Sequence, residues 1–274
     1  MLLDFPVSAG PFVVTLYGDI VAPRGGEVWM GSIVEACATV GIAESRVRTA
    51  VSRLVAAGRI VGVKVGRRSY YRLTGQAERE FSFAARLIYA PVGPPPLRGW
   101  HLVALPEWPD PEAQARLARL RFGLPFPQLA VLPDRGQPVP ELPGCRFAAA
   151  TGDDLAVLLR DAWPLGLLAE RMQRFLAAFG PVEGQRPKPA EAVGLRLLLV
   201  HAFREIALAD PLLPPELVPA GWPGEAARAL FVRLYLALTP ASDAGVAARF
   251  VDREGPLRPD PERLARRLRA LRVG

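Results

Sequence analysis

Cysteine and histidine are scarce in this chain. Two cysteines, Cys37 and Cys145, cannot build a disulfide scaffold, and without a CxxC pair they offer no structural zinc site. The two histidines, His101 and His201, have no partners at a spacing that would make a metal site or a catalytic dyad, so each reads as an ordinary core or surface residue. The sequence contains no GxSxG, no HExxH and no Gly-rich phosphate loop. No apolar run reaches the roughly 18 residues that a membrane span requires. Leu197 to Val200 is short and bounded by Arg196 and His201, as in a buried helix segment. No Lys or Arg precedes Arg24, which removes the positive start of a secretory signal. A cytoplasmic location, with no membrane partner and no cofactor, is expected. Internal repeats and low-complexity tracts are also absent.

What remains is ample material for folded cores. The chain has 274 residues, half of them hydrophobic and 22% charged, which excludes a disordered protein. At roughly 150 residues per domain this is about two domains, or three small ones. Net charge is +7 and the pI is near 10.1. Such a balance points to a polyanionic partner, nucleic acid before a membrane surface.

Proline and glycine mark the clearest boundary. PVGPPPLRG at 91–99 sustains neither a helix nor a central strand and reads as a stiff linker. Before it, residues 1–90 read as helix, helix, helix, hairpin, helix. The helices contain Val13 to Tyr17, Trp29 to Val40, and Glu44 to Ala57 with Gly58 as its stop. IVGVKV (60–65) and Ser69 to Leu73 read as strands joined by a Gly66–Arg67 turn, and Thr74 caps a helix reaching about Tyr89. Residues 100–152 read as a small α+β unit. It has a strand from Trp100 to Leu105, a helix from Asp110 to Arg121, and strands near 129–132 and 145–149. From 153 to 274 the pattern is helical, over 163–179, 190–209, 223–238 and 261–272. The expected fold class is multidomain α+β.

Three helices followed by a hairpin is the order of a winged helix-turn-helix. At 100° per residue, Val47, Val51, Leu54 and Val55 of the third helix share the core-facing arc. Ser45, Arg46, Thr49, Ser52 and Arg53 share the opposite one, with two guanidinium groups, three hydroxyls and no acid. Arginine pairs bidentately with guanine in the major groove, and Ser and Thr suit phosphates or base edges. Arg48 lies at the edge of the apolar arc, as a flanking residue rather than a base reader. The hairpin tip carries Lys64, Arg67 and Arg68, where a wing meets phosphate or the minor groove. Of Tyr70 and Tyr71, one is expected in the core and the other is a candidate for the sugar–phosphate backbone. Between 44 and 72 stand eight basic residues against one acid, Glu44, so this stretch alone carries +7. Charge concentrated in that way marks a nucleic-acid footprint.

These residues resemble the PaaX family of bacterial repressors. YGDIVAPRGGEVWMGSIVEA (17–36) is similar to that family's opening, and GIAESRVRTAVSRLVAAGRI with VGRRSYYRLT (41–74) to its recognition helix and wing. HAFREIALADPLLPPELVPAGWPG (201–224) is similar to its third-domain signature. The resemblance implies a homodimer that binds double-stranded operator DNA through an N-terminal winged helix. It implies a middle ferredoxin-like domain similar to Cas2 proteins and a helical C-terminal domain. It also implies repression of phenylacetate-degradation genes, relieved by phenylacetyl-CoA or a related acyl-CoA effector. The DNA-facing residues carried over are Ser45, Arg46, Thr49, Ser52, Arg53, Arg67 and Arg68. The chain departs from the family at Arg59, where Trp is usual, and is abbreviated around 121–132.

An acyl-CoA effector needs cations for its phosphates and an apolar surface for its acyl group. Arg196, His201 and Arg204, at helical spacing, are candidates together with Trp163 and Trp222. The competing reading makes the tryptophans core residues and pairs the Arg–His group with Glu205 or Asp210. A Cas2-like metal-dependent nuclease would use Glu107 and Asp110 after the first strand of the middle unit, although a helix cap accounts for Asp110. The Arg-rich helix at 261–272 either adds nucleic-acid contacts or packs through Leu264, Leu268 and Leu271 with its arginines in solvent.

Overall fold

The structure, a computed structural model, describes residues 7–137, 142, 144–149, 159 and 162–272. Helix α1 (Ala9–Leu16) buries Phe12, Val13 and Leu16, then widens into a π-type turn, Tyr17–Val21, and a 3-10 turn, Ala22–Arg24. A short strand follows, β1 (Glu27–Trp29), where the sequence predicts the start of a helix. Three residues are too few for an alternating pattern to be read. Next come α2 (Met30–Ala38) and α3 (Glu44–Ala56). Beyond α3, Gly58 takes φ +65°, the left-handed conformation that ends a helix at little cost only for glycine.

The hairpin β2 (Ile60–Val65) and β3 (Arg68–Leu73) closes with Val65 opposite Arg68. Its two-residue turn places Gly66 at φ +58°, as a Gly-first turn requires. β1 adds to the far side of β3, with Trp29 opposite Tyr70, so the sheet order is β1-β3-β2. Helix α4 (Gly75–Ile88) starts where the Thr74 hydroxyl accepts from the Ala77 amide at 3.3 Å.

The middle segment opens with β4 (Gly99–Ala104) and α5 (Pro111–Arg119), whose first turn is capped by Asp110 accepting from the Ala113 amide at 2.7 Å. The hairpin of β5 (Gly123–Phe126) and β6 (Leu129–Asp134) and the strand β7 (Cys145–Ala149) complete an antiparallel sheet of order β5-β6-β4-β7. β5 was not foreseen: it is four residues long, contains Pro125, and its pairing with β6 is irregular. One side of this sheet packs Trp100, Leu102 and Val131 with Trp163. The other packs Val103, Ala130 and Leu132 with Leu117 of α5.

Helices α6 (Leu165–Phe179), α7 (Pro189–Ala209), α8 (Gly224–Arg249) and α9 (Pro261–Arg272) follow. α8 continues through Pro240 to Arg249, past the expected stop at 238. Pro240 forfeits one backbone hydrogen bond, but Val246 and Phe250 beyond it are buried in a core, and that packing outweighs the loss. Among the described residues no helix is long and apolar enough to cross a membrane.

The chain forms two compact units, and neither is one continuous stretch. One comprises 1–92, 175–204 and 228–274; the other comprises 93–174 and 205–227. The limits between them fall within helices α6, α7 and α8. Inside the first unit a single core joins Phe12, Leu16, Ile33, Val47 and Val51 to Val193, Leu197, Val246 and Phe250. The N-terminal helices and hairpin therefore bury their apolar faces partly against the C-terminal helices.

Candidate nucleic-acid interface

Helix α3 is oriented by its apolar stripe. Val47, Ala50 and Val51 are buried and Leu54 half-buried, which turns Ser45, Arg46, Thr49, Ser52 and Arg53 outward, all exposed. Val55 differs from the expectation: it is 40% exposed. It lies about 80° around the helix from Val47, outside the buried arc. Ala50, on the other side of Val47, is buried instead. Val55 instead borders a cleft between α3 and the hairpin, together with Ser52, Lys64 and Tyr71.

The cations fall into two groups. Arg48 pairs with Glu44 at 2.6 Å, one turn back, as its flanking position implied. Arg59 pairs with Glu80. Arg46, Arg53, Lys64, Arg67, Arg68 and Arg72 are exposed and have no ion-pair partner among the described residues. Their charge is available to an external anion. The Thr49 hydroxyl donates to the Ser45 carbonyl at 2.9 Å and keeps its lone pairs for an external donor. Tyr70 is buried and Tyr71 half-buried, its carbonyl accepting from the Tyr17 hydroxyl at 3.1 Å. Ser52 of α3 and Lys64 of the hairpin thus border one cleft.

The residues considered for an acyl-CoA are not brought together in one unit. Trp163 and Trp222 belong to the unit containing 93–174 and 205–227, and Arg196, His201 and Arg204 to the other. Trp163 is core: it lies against Gly123 and donates from Nε1 to the Arg121 carbonyl at 3.2 Å. Trp222 packs half-buried against the same core. Arg196 is fully buried and does not pair with Glu205 or Asp210; its Nε donates to Asp19 and its Nη1 to Asp243, both at 2.8 Å. His201 is buried, its Nδ1 3.1 Å from the Thr15 hydroxyl and its ring edge-on to Phe12.

Arg196 belongs to a buried network that the sequence reading missed. Asp19, in the π-type turn, is fully buried, and its Oδ1 accepts from the Tyr89 and Tyr235 hydroxyls at 2.8 Å each. Arg267 of α9 donates to that oxygen at 3.1 Å and stacks on the Tyr89 ring at 3.9 Å. Arg24 reaches Asp243 at 2.6 Å. Burial alone would raise the Asp19 carboxyl, but the Arg196 and Arg267 charges and the bonds it accepts hold it below its ordinary value. Arg196 is likewise pushed down by burial and held well above its ordinary value by Asp19, Tyr235 and Asp243. Within α9, then, Arg267 is an internal anchor rather than a solvated charge, while Leu271 is buried as expected. A signal existed. Asp19 is the one charged residue between Asp4 and Arg24, and Arg196 the one Asp, Glu, Lys or Arg between Glu191 and Arg204. A lone charge in an apolar run implies a buried partner.

Among the described residues no three His, Cys, Asp or Glu cluster as metal ligands. Asp110 is used as the cap of α5.

The fold is that of a multidomain α+β protein whose helix α3 and hairpin carry exposed basic residues. Residues 8–77 match the family described as PaaX-like protein, and residues 163–248 match the PaaX-like protein C-terminal domain. The chain is 30% identical over 270 residues to "Transcriptional repressor PaaX" of Escherichia coli (strain K12), covering 89% of this chain and 84% of that one. It therefore belongs to the PaaX family of transcriptional repressors. It also shares its fold with "Uncharacterized protein Rv0674 from Mycobacterium tuberculosis", at TM-score 0.54 and 21% identity, over 87% of this chain and 98% of that one.

Proposed function

We propose that the chain represses transcription by binding operator DNA as a homodimer through residues 1–90, acting as a winged helix. Two α3 helices would enter successive major grooves of an inverted repeat. The observation that carries this reading is the outward face of α3 and the hairpin, where Arg46, Arg53, Lys64, Arg67 and Arg68 stand exposed without acidic partners among the described residues. Arg46 and Arg53 read bases, helped by Ser45, Thr49 and Ser52, while the hairpin cations contact phosphates. The order β5-β6-β4-β7, with α5 after the first strand, supports a ferredoxin-like middle domain. Release by phenylacetyl-CoA or a related acyl-CoA is part of the proposal, supported by family membership alone.

The test is binding to the intergenic DNA upstream of the protein's own gene, at two salt concentrations, with phenylacetyl-CoA, free CoA or phenylacetate. Arg46→Ala and Arg53→Ala are each expected to cost about 1–3 kcal/mol in specific binding. Unchanged affinity in both variants refutes the base-reading assignment. Release by the thioester but by neither fragment supports the effector, and binding indifferent to the thioester rejects it.

A further inference from the structure

We propose that Trp29 is a positioning residue for the hairpin arginine Arg68, holding its guanidinium ready for the nucleic-acid backbone. The inference rests on the DNA-binding reading above and adds a residue that is neither on α3 nor on the hairpin. Trp29 ends β1 directly opposite Tyr70, and Arg68 lies two residues from Tyr70 on the same strand, so all three share one face of the sheet. The Arg68 guanidinium carbon stands 4.9 Å from the centroid of the Trp29 ring. Arg68 is exposed and has no ion pair among the described residues, so the indole is the partner that orders it.

The indole is itself held in place. A Cβ added at Gly31 would stand 2.3 Å from it, so the ring lies against bare backbone at the start of α2. The Trp29 amide is tied to the Val251 carbonyl at 2.9 Å. A guanidinium stacked on an indole keeps its in-plane N–H groups free to donate to a phosphate. An exposed arginine without such a platform must surrender side-chain freedom when it binds, and the stacked one has surrendered part of it already. Arg67, its neighbour in the turn, has no such ring beneath it among the described residues, so Arg68 contributes more.

The test uses the full chain and the same intergenic duplex, with affinity measured by fluorescence anisotropy across a salt series. Trp29→Leu should weaken binding about threefold to tenfold and lower the slope of log affinity against log salt by about 0.9, the value of one phosphate contact. Trp29→Phe, which keeps a ring, should restore most of the affinity. Arg68→Ala should match Trp29→Leu, and the double variant should be no worse than Arg68→Ala alone. Gly31→Ala pushes the indole aside without deleting it and should reproduce the loss, which keeps the test intact if Trp29→Leu folds poorly. Equal losses from Trp29→Leu with and without Arg68, or no loss at all, overturn the proposal. A loss in Arg53→Ala without one in Trp29→Leu rejects the positioning role alone. No loss in either Arg53→Ala or Arg68→Ala removes the DNA-binding reading beneath it.

Discussion

Replacing Asp19 by Asn removes one charge and few atoms, yet it strikes a buried carboxylate that accepts four hydrogen bonds. The carboxylate is fully buried; one oxygen takes the Arg196 Nε–H at 2.8 Å, and the other takes Tyr89, Tyr235 and Arg267. In the variant an amide NH₂ must face a donor whichever way the side chain turns. Among the described residues Arg196 then retains only Asp243, and Arg267 retains no carboxylate. Leaving a buried charge uncompensated in this way costs about 3–5 kcal/mol. Asp243→Asn should cost less, because that side chain is 26% exposed and water can replace part of the lost interaction. Hydrogen–deuterium exchange in a urea series, read on peptides covering 8–24, 189–204 and 261–272, isolates this unit from the other. A loss below about 1 kcal/mol, within the reach of an ordinary surface change, would refute the network's structural role. So would a loss no larger than that of Asp243→Asn. The pH dependence gives a second check. Because the Asp19 carboxyl is lowered by folding, its stabilisation is complete above the unfolded value of about 3.9 and is lost as pH falls through the folded one. The wild-type chain should therefore lose stability steeply below about pH 4, and Asp19→Asn should lose less over the same window.

Two further outcomes test the packing. Val47→Ala, at a fully buried position, should destabilise the first unit by about 1.5–3 kcal/mol. Val55→Ala, 40% exposed on the cleft, should cost about 0.5 kcal/mol or less in urea unfolding. Equal costs would show that the helix is rotated from the orientation described. Burial raises the Cys37 thiol to about 12. At pH 8 mass spectrometry should find Cys37 unlabelled by iodoacetamide in the native chain and labelled once it is denatured. Native labelling as fast as that of a free thiol would contradict its burial.

Local sequence carried much of the N-terminal reading because its signals are local. Glu44 to Ala57 has helical periodicity and a Gly stop, IVGVKV alternates, and Gly66 marks a tight turn, so α3 and the hairpin appear within a residue of their expected places. The outward α3 face follows from the same 100° step. That step failed at Val55, because a wheel gives an angle and not the width of the surface the helix is packed against. β1 and β5 escaped notice because strands of three and four residues hold too little pattern. Their existence depends on pairing with β3 and β6.

The sequence by itself determined the class of protein, the positions of most helices and strands, and a cationic helix and hairpin, all from properties of neighbouring residues. The tertiary structure decided which distant segments share a core, which charges are spent internally and which remain for a partner. Arg196 and Asp19 are 177 residues apart, and Arg267 and Asp19 248 apart, so no periodicity or motif joins them. Only the closing of the chain sets them at 2.8 and 3.1 Å. A buried charge is tolerable only beside its opposite, and that requirement separates the arginines of the interior from the exposed ones of α3 and the hairpin, which water solvates.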